Sequence, residues 1–296
     1  MTLYGAPGSL PPRPKGKLRY IPGTYGTINL AREHQAIDWF WDEIIAHDFI
    51  LDCSHNHLVA EEAAWYYRDL TAKIAVVLNG ATTHTPRCGP YNAIVGSQHW
   101  KQLLLYGRTE YFRTPFARRY PVSIEPLQED DIAGVVLWAT DTNFYTPGDS
   151  PKGNFMLWIS HPEPYKGLPE ALEVAVRTRV PLVVSPSLAM AGHRQAWQAV
   201  QPSIKSAVER GAEVRVEIIP ETSQHHAIKR ELMRRARALL FPVQRAEAFG
   251  LVVVEALACG TPVITTRLGA MPELVKQGET GFLCRDLDAL CQAVRD

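Results

Sequence analysis

From residue 154 to the end of the chain, short apolar runs alternate with stretches whose apolar positions recur three and four apart. The runs at 154–159, 181–185 and 213–218 read as buried strands, and the stretches at 167–177, 193–210 and 224–237 read as helices, the last with Ile228, Leu232 and Ala236 four apart. A further apolar run ends at Phe241-Pro242, passes through a polar loop, and enters a helical pattern at Phe249-Gly250 that closes at Cys259-Gly260. Gly260-Thr261-Pro262 stops that helix, because glycine tolerates the left-handed cap and proline cannot continue it. Residues 263–266 follow as a strand and 286–296 as a helix. Regular alternation of strand and helix argues for a parallel sheet with helices on both faces.

The first half carries the same alternation less clearly. A strand at 1–5 leads into a Pro-rich connection through Pro22, then a helix at 29–46 with apolar positions Leu30, Ile37, Phe40, Trp41, Ile44 and Ile45. A strand at 49–51 ends in the polar cluster Asp52 to His57, where open parallel sheets bind ligands, so His55 and His57 stand as capping, ligand-contacting or metal-binding residues. A helix at 61–70, a strand at 73–78, a strand and turn at 92–97, a helix at 98–106 and a last strand at 134–137 complete the region. The run Pro147-Gly148-Asp149-Ser150-Pro151-Lys152-Gly153 has the composition of a linker, which divides the chain into 1–147, a linker at 148–153, and 154–296.

Composition narrows the function classes. With 296 residues the chain is long enough for two domains, and 31 basic residues against 31 acidic ones leave no global field to recruit nucleic acid. Five cysteines, odd in number and scattered, lack the spacing of a disulfide framework or a metal site. They read as packing residues of a reducing, cytoplasmic compartment. No signal-peptide pattern and no long apolar run is present. Between 101 and 120, Lys101, Arg108, Arg113, Arg118 and Arg119 interleave with five aromatic residues. This pattern suits either a solvated face or peripheral contact with an acidic membrane.

Candidate chemistry concentrates in 239–283. Glu255 lies among apolar residues, where a carboxylate costs several kcal/mol unless donors meet it. Ligand hydroxyls are such donors: in doubly wound folds a strand-end acid takes ribose hydroxyls while a neighbouring helix N-terminus faces phosphate. A structural Glu with protein partners is the alternative. Glu247 lies eight positions earlier, so the two carboxylates sit apart along one rim rather than sharing a proton.

The stretch Glu247-Ala248-Phe249-Gly250-Leu251 through Glu255, followed by Ala258-Cys259-Gly260-Thr261-Pro262-Val263-Ile264 and by Gly269-Ala270-Met271-Pro272-Glu273-Leu274-Val275, resembles the signature of family-four retaining glycosyltransferases. The resemblance implies an α/β fold of two Rossmann-like domains facing a cleft, the GT-B arrangement. It also implies transfer of a sugar from a nucleotide-diphosphate donor, UDP- or GDP-linked, to an acceptor hydroxyl on a small molecule, a glycan or a lipid-linked compound. By the same resemblance Lys166 stabilises the departing diphosphate, and Glu255 holds the ribose. Glu247, with the backbone amides of Phe249, Gly250 and Leu251, positions the sugar, and neither a metal nor a further cofactor is required.

Three departures stand out. His161 occupies the position where the family has an arginine gripping the diphosphate, so the guanidinium fork is lost; Arg245 is a candidate to supply charge from the other loop. Asn79 stands where the family has a histidine near the donor sugar, with His84 a few residues on. The family's first strand, Gly-rich loop and helix are not found before 1–5, nor are its last helices after 296, so the chain reads as truncated at both ends. These departures keep open a degenerate nucleotide-binding relative without transfer activity. A GT-B sugar-nucleotide epimerase is a second alternative.

Overall fold

A computed structural model describes residues 2–5, 17–20, 46, 50–52, 74–78, 92–106, 127–149, 151–188, 191–220 and 224–296, and all structural statements below concern these residues. The expected helices at 29–46 and 61–70, and His55, His57, Asn79, His84 and residues 107–120, lie outside them, apart from Ala46 in a turn. Contacts divide the chain into two compact units, 1–95 with 127–134, and 96–126 with 135–296.

In the first unit Thr2–Gly5 (β1) pairs in parallel with Lys17–Tyr20 (β2). The second of these corrects the reading of the region as an unbroken Pro-rich connection: prolines flank Lys17–Tyr20 but none lies within it, and its own residues alternate in the period of a strand. Ile50–Asp52 (β3), Ile74–Leu78 (β4) and Ala93–Val95 (β5) pair in parallel. After helix Gln98–Tyr106 (α1), which belongs to the second unit, the short strand Gly134–Val135 (β6) extends the order to β3-β4-β5-β6. The expected strand at 134–137 therefore stops early, with Val136 and Leu137 exposed.

The second unit contains the long sheet. In chain order its elements are Met156–Ser160 (β7), Leu168–Thr178 (α2), Leu182–Pro186 (β8), Ala191–Glu209 (α3), Val214–Val216 (β9), His225–Arg235 (α4) and Ala238–Phe241 (β10). They continue with Leu251–Ala258 (α5), Val263–Thr266 (β11), Met271–Leu274 (α6), Gly281–Cys284 (β12) and Leu287–Arg295 (α7). The six strands are parallel in the order β12-β11-β10-β7-β8-β9. The short helix α6 and the edge strand β12 are the two elements that the periodicity did not announce. Four residues make one helical turn, too few to show a repeat, and β12 begins at a glycine with φ of 156°.

Side chains along the central strands alternate between two cores, as the two-residue period of a strand requires. Met156 and Trp158 of β7, Leu182 and Val184 of β8 and Leu240 of β10 pack with α2, α3 and α7. Leu157 and Ile159, Val183, and Leu239 with Phe241 pack on the other face with α4, α5 and α6. Both faces of the sheet are thus covered, which explains why its strands read as unbroken apolar runs. Tyr145, ahead of the expected linker, is buried in the second of these cores.

The topology fixes where a ligand belongs. From β7 the chain moves outward through β8 to β9, then returns to place β10 on the other side of β7. The order reverses between β7 and β10, and in open parallel sheets such a switch point leaves a crevice at the carboxyl ends of the two strands.

Candidate functional site at the switch point

A cavity of about 330 Å³ opens at that crevice. Ser160 and His161 reach it from the end of β7, Ser185 and Pro186 from β8, Phe241 from β10, and Gly250, Leu251 and Val252 from the start of α5. Ser187, Lys166, Glu247 and two side chains of α4, His225 and Lys229, complete the polar lining.

Two loops bring the chemistry together. The first, after β7, makes a 3₁₀ turn over Pro164–Lys166 and passes through Gly167 at φ 78° into α2. A Cβ at Gly167 would lie 1.9 Å from the carbonyl oxygen of Pro242, so only glycine lets this loop run against the second one. Trp158 Nε1 donates to the Lys166 carbonyl at 3.1 Å, and Gln244 N donates to the Tyr165 carbonyl at 2.7 Å. The second loop, after β10, is held by neighbouring strands and turns. Thr265 Oγ1 donates to Phe241 O and Thr266 Oγ1 to Val243 O, each at 2.6 Å, and Ala270 N donates to Glu247 O at 2.8 Å.

These supports place Lys166 Nζ 2.5 Å from Glu247 Oε2, with both side chains largely buried. Burial works against the lysine charge, but the Glu247 carboxylate outweighs it by charge and by hydrogen bond, and the amine is held above the ordinary lysine value. Phe241 and Tyr165 face the same ammonium, with ring centroids 5.8 and 5.5 Å away. The two residues that the signature singled out from separate loops are therefore in direct contact.

Glu255, on α5, is 7% exposed, and its Oε2 lies 2.5 Å from Lys229 Nζ. The Tyr145 phenol is near enough to be pushed up from its ordinary value, first by burial and then by the Glu255 charge, so it keeps its proton and serves as a donor. The buried carboxylate is ion-paired with Lys229, which also lines the cavity, while its Oε2 makes no hydrogen bond.

The remaining expected residues divide. Gly250 and Leu251 line the cavity; Gly250 takes φ 93° as the residue before α5, whose first amides have no acceptor within the helix. Phe249 is packed away at 3% exposure and is not among the lining residues. His161 lines the cavity while remaining exposed. The Arg245 guanidinium lies 4.0 Å from the centre of the Tyr165 ring and is not among the lining groups. Sequence reasoning missed Lys229, the serines at the ends of β7 and β8, and His193 behind His161. The serines follow from the rule that open sheets bind at strand ends; Ser185 Oγ is buried there without a hydrogen-bond partner. Lys229 carries no local signal, because only the packing of α4 against α5 brings it to Glu255. No group of three or more His, Cys, Asp or Glu suited to a metal ion occurs among the described residues, nor does any helix long and apolar enough to cross a membrane.

Comparison with known proteins matches this architecture. A D-inositol 3-phosphate glycosyltransferase of Mycobacterium sp. (strain KMS) is 27% identical over 252 residues, covering 78% of this chain and 55% of the relative. An N-acetyl-alpha-D-glucosaminyl L-malate synthase of Bacillus anthracis is 50% identical over 46 residues, 16% of this chain and 12% of the relative. The chain spans about half, or less, of the length of these relatives. Among solved structures, HepE of Anabaena in complex with UDP and glucose superposes with a TM-score of 0.66 at 16% identity, over 94% of this chain and 75% of that one. Sucrose-phosphate synthase of Thermosynechococcus elongatus gives 0.59 at 17%, over 95% and 71%. These likenesses establish an α/β fold with parallel sheets of the kind found in GT-B glycosyltransferases. The glycosyl transferases group 1 family matches residues 141–295, more than half of the sequence and all six strands of the long sheet, and the chain belongs to that family.

Proposed function

We propose that the chain is a retaining glycosyltransferase that binds a nucleoside-diphosphate sugar in the switch-point cavity and passes the sugar to an acceptor hydroxyl. The observation that carries this reading is the Lys166–Glu247 pair in a cavity that also receives the N-terminus of α5 and Lys229, whose partner Glu255 lies behind it and outside the lining. Each buried charge is neutralised by its neighbour, so a ligand enters by exchanging partners rather than by burying bare charges. The diphosphate takes Lys166 and the free amides of α5, a sugar hydroxyl takes Glu247, and ribose hydroxyls take Glu255.

In the transfer, the bond from the anomeric carbon to the diphosphate oxygen breaks and its electron pair stays on the diphosphate. Lys166 stabilises that charge where it develops, while the Glu247 carboxylate faces the positive charge developing on the sugar. The acceptor oxygen bonds to the anomeric carbon on the face the diphosphate leaves, and its proton goes to the departing phosphate oxygen. The reading assigns no step to a metal ion, since lysine and helix amides face the diphosphate. That HepE was crystallised with UDP and glucose and with UDP-glucose supports a uridine donor as the first to try.

The test is calorimetric titration of the chain with UDP, GDP and ADP, repeated on Lys166→Ala and Glu255→Ala and then repeated with EDTA present. Binding of one nucleotide, weakened at least about tenfold by each substitution, about 1.4 kcal/mol, and unaffected by EDTA, is the expected result. Binding of none of them removes the proposal. A degenerate relative is the second reading, favoured by His161 at the family's arginine position; it predicts the same binding without sugar release to any hydroxyl acceptor.

A further inference from the structure

His161 does not stand alone at the diphosphate end of the cavity. The imidazole of His193, in the first turn of α3, stacks on it with ring centroids 4.1 Å apart and an interplanar angle of 30°. His193 is 7% exposed and its Nδ1 has no hydrogen-bond partner, while its Nε2 lies 3.5 Å from Glu163 Oε1. A stacked pair of rings at this distance does not carry two positive charges without strong repulsion.

We infer that the stacked pair His161–His193 replaces the missing guanidinium with a charge that arrives only when the donor does, so that binding of the nucleotide sugar takes up a proton. The inference rests on the donor-site reading above. The groups facing His161 are His193 from α3, Glu163 and Lys166 from its own loop, and Glu247 from the second loop. Lys166 and Glu247 cancel and Glu163 is negative, so with neutral imidazoles the groups facing His161 carry no net positive charge to offset a diphosphate. An arginine would bring one permanently, whereas His161 brings one only by protonation. Partial burial, then His193, hold the His161 imidazole below its ordinary value, so it is neutral in the free protein near pH 7. A phosphate oxygen beside the ring favours the imidazolium and raises its value in the complex. The added affinity is therefore complete below the free-protein value and is lost as pH rises through the raised value. His193 acts through His161: the stacked rings hold one proton between them at most, so His193 competes with His161 for it.

The probe is UDP-glucose, with GDP-mannose and ADP-glucose as alternates, because the diphosphate in each is a diester that keeps constant charge across the range. Titration of the chain at pH 6, 7 and 8, in buffers of different ionisation enthalpy, is expected to show proton uptake on binding and affinity at least about tenfold tighter at pH 6 than at pH 8. His161→Arg should abolish the dependence and raise affinity at pH 8. His193→Gln removes the second ring that competes for the one proton the stacked pair can hold, and should shift the profile to higher pH, an effect that a purely structural role would not produce. Binding of equal strength at all three values, or a dependence that survives His161→Arg, overturns the inference and leaves the donor site standing. An unmoved profile in His193→Gln overturns the role of the pair. No binding at any pH removes the inference together with the reading it rests on.

Discussion

The two loops that meet in the cavity arrive from adjacent strands and carry comparable chemistry, but they are built differently. The loop over 242–250 is held at nearly every residue: by the hydroxyls of β11, by the amide of Ala270 on Glu247 O, and by Ser97 Oγ donating to Ala248 O at 2.7 Å. A Cβ on Gly269 would lie 2.2 Å from the backbone of Glu247, and one on Gly250 would lie 2.7 Å from Met271 Cε. Glu273 then accepts from the amides of Gln98 and His99 at 2.9 and 2.7 Å, fastening the start of α1 to α6. The loop over 160–167 is tied by backbone hydrogen bonds at Ser160 and from Tyr165 to Gly167, while the His161 side chain between them has a ring contact and solvent. Under the proposed function, a carboxylate facing one atom of a sugar needs the first kind of loop, and a charge that adjusts to phosphate tolerates the second.

The comparison predicts a hierarchy of effects. The largest belongs to the place where the loops touch. Gly167→Ala combines a left-handed backbone with a collision against Pro242 O, and we expect a loss of about 3–4 kcal/mol in urea unfolding. A loss below about 1 kcal/mol, the backbone penalty alone, would mean that the second loop yields and is not the rigid partner.

Next comes the contrast between the two lysines. Lys229→Met leaves Glu255 buried without its cation and should cost about 2–3 kcal/mol of stability. Nucleotide affinity should not fall, because ribose hydroxyls replace the lost partner, whereas Lys166→Ala should weaken nucleotide binding. Titration of both variants beside unfolding curves separates the roles, and a tenfold loss of affinity in Lys229→Met would assign that lysine to the ligand.

A smaller effect tests the buttress of the second loop. His99 is 6% exposed, and burial lowers its imidazole to about 4. The unfolded chain, with a value near 6.5, binds the proton first as pH falls, so the stability from a neutral His99 is complete above about 6.5 and is lost towards 4. Unfolding at pH 7 and pH 5 should differ by about 2 kcal/mol, and His99→Gln should remove most of that difference.

The same contrast explains what was legible. The signature at 247–275 reads as one block because it is one packing unit: Gly269, Ala270, Met271 and Glu273 travel with Glu247 because their backbones and side chains touch it or support its loop. The strands and helices of the second unit fall within a few residues of their expected positions, since both sheet faces are covered and the apolar code is unbroken. The partner of His161 was not legible. His193 is 32 residues away on another helix, and no local pattern marks a residue whose role is to stack behind another. Lys229 was hidden for the same reason: an amphipathic helix shows which face is buried but not which lysine on its margin meets a carboxylate.

Arg245 gives the finest test of the difference between the loops, because sequence placed it as a substitute for the missing arginine and the structure lays it on Tyr165, across the seam. A cation over a ring at that distance contributes about 0.5–1 kcal/mol when partly exposed. If that contact is its whole role, Arg245→Ala lowers stability by no more than this amount and leaves UDP-glucose affinity and its pH profile unchanged, since the side chain does not line the cavity. If affinity falls at pH 8 but less at pH 6, the guanidinium swings from Tyr165 to the diphosphate when His161 is uncharged. The second loop would then supply the permanent charge that the first one lacks.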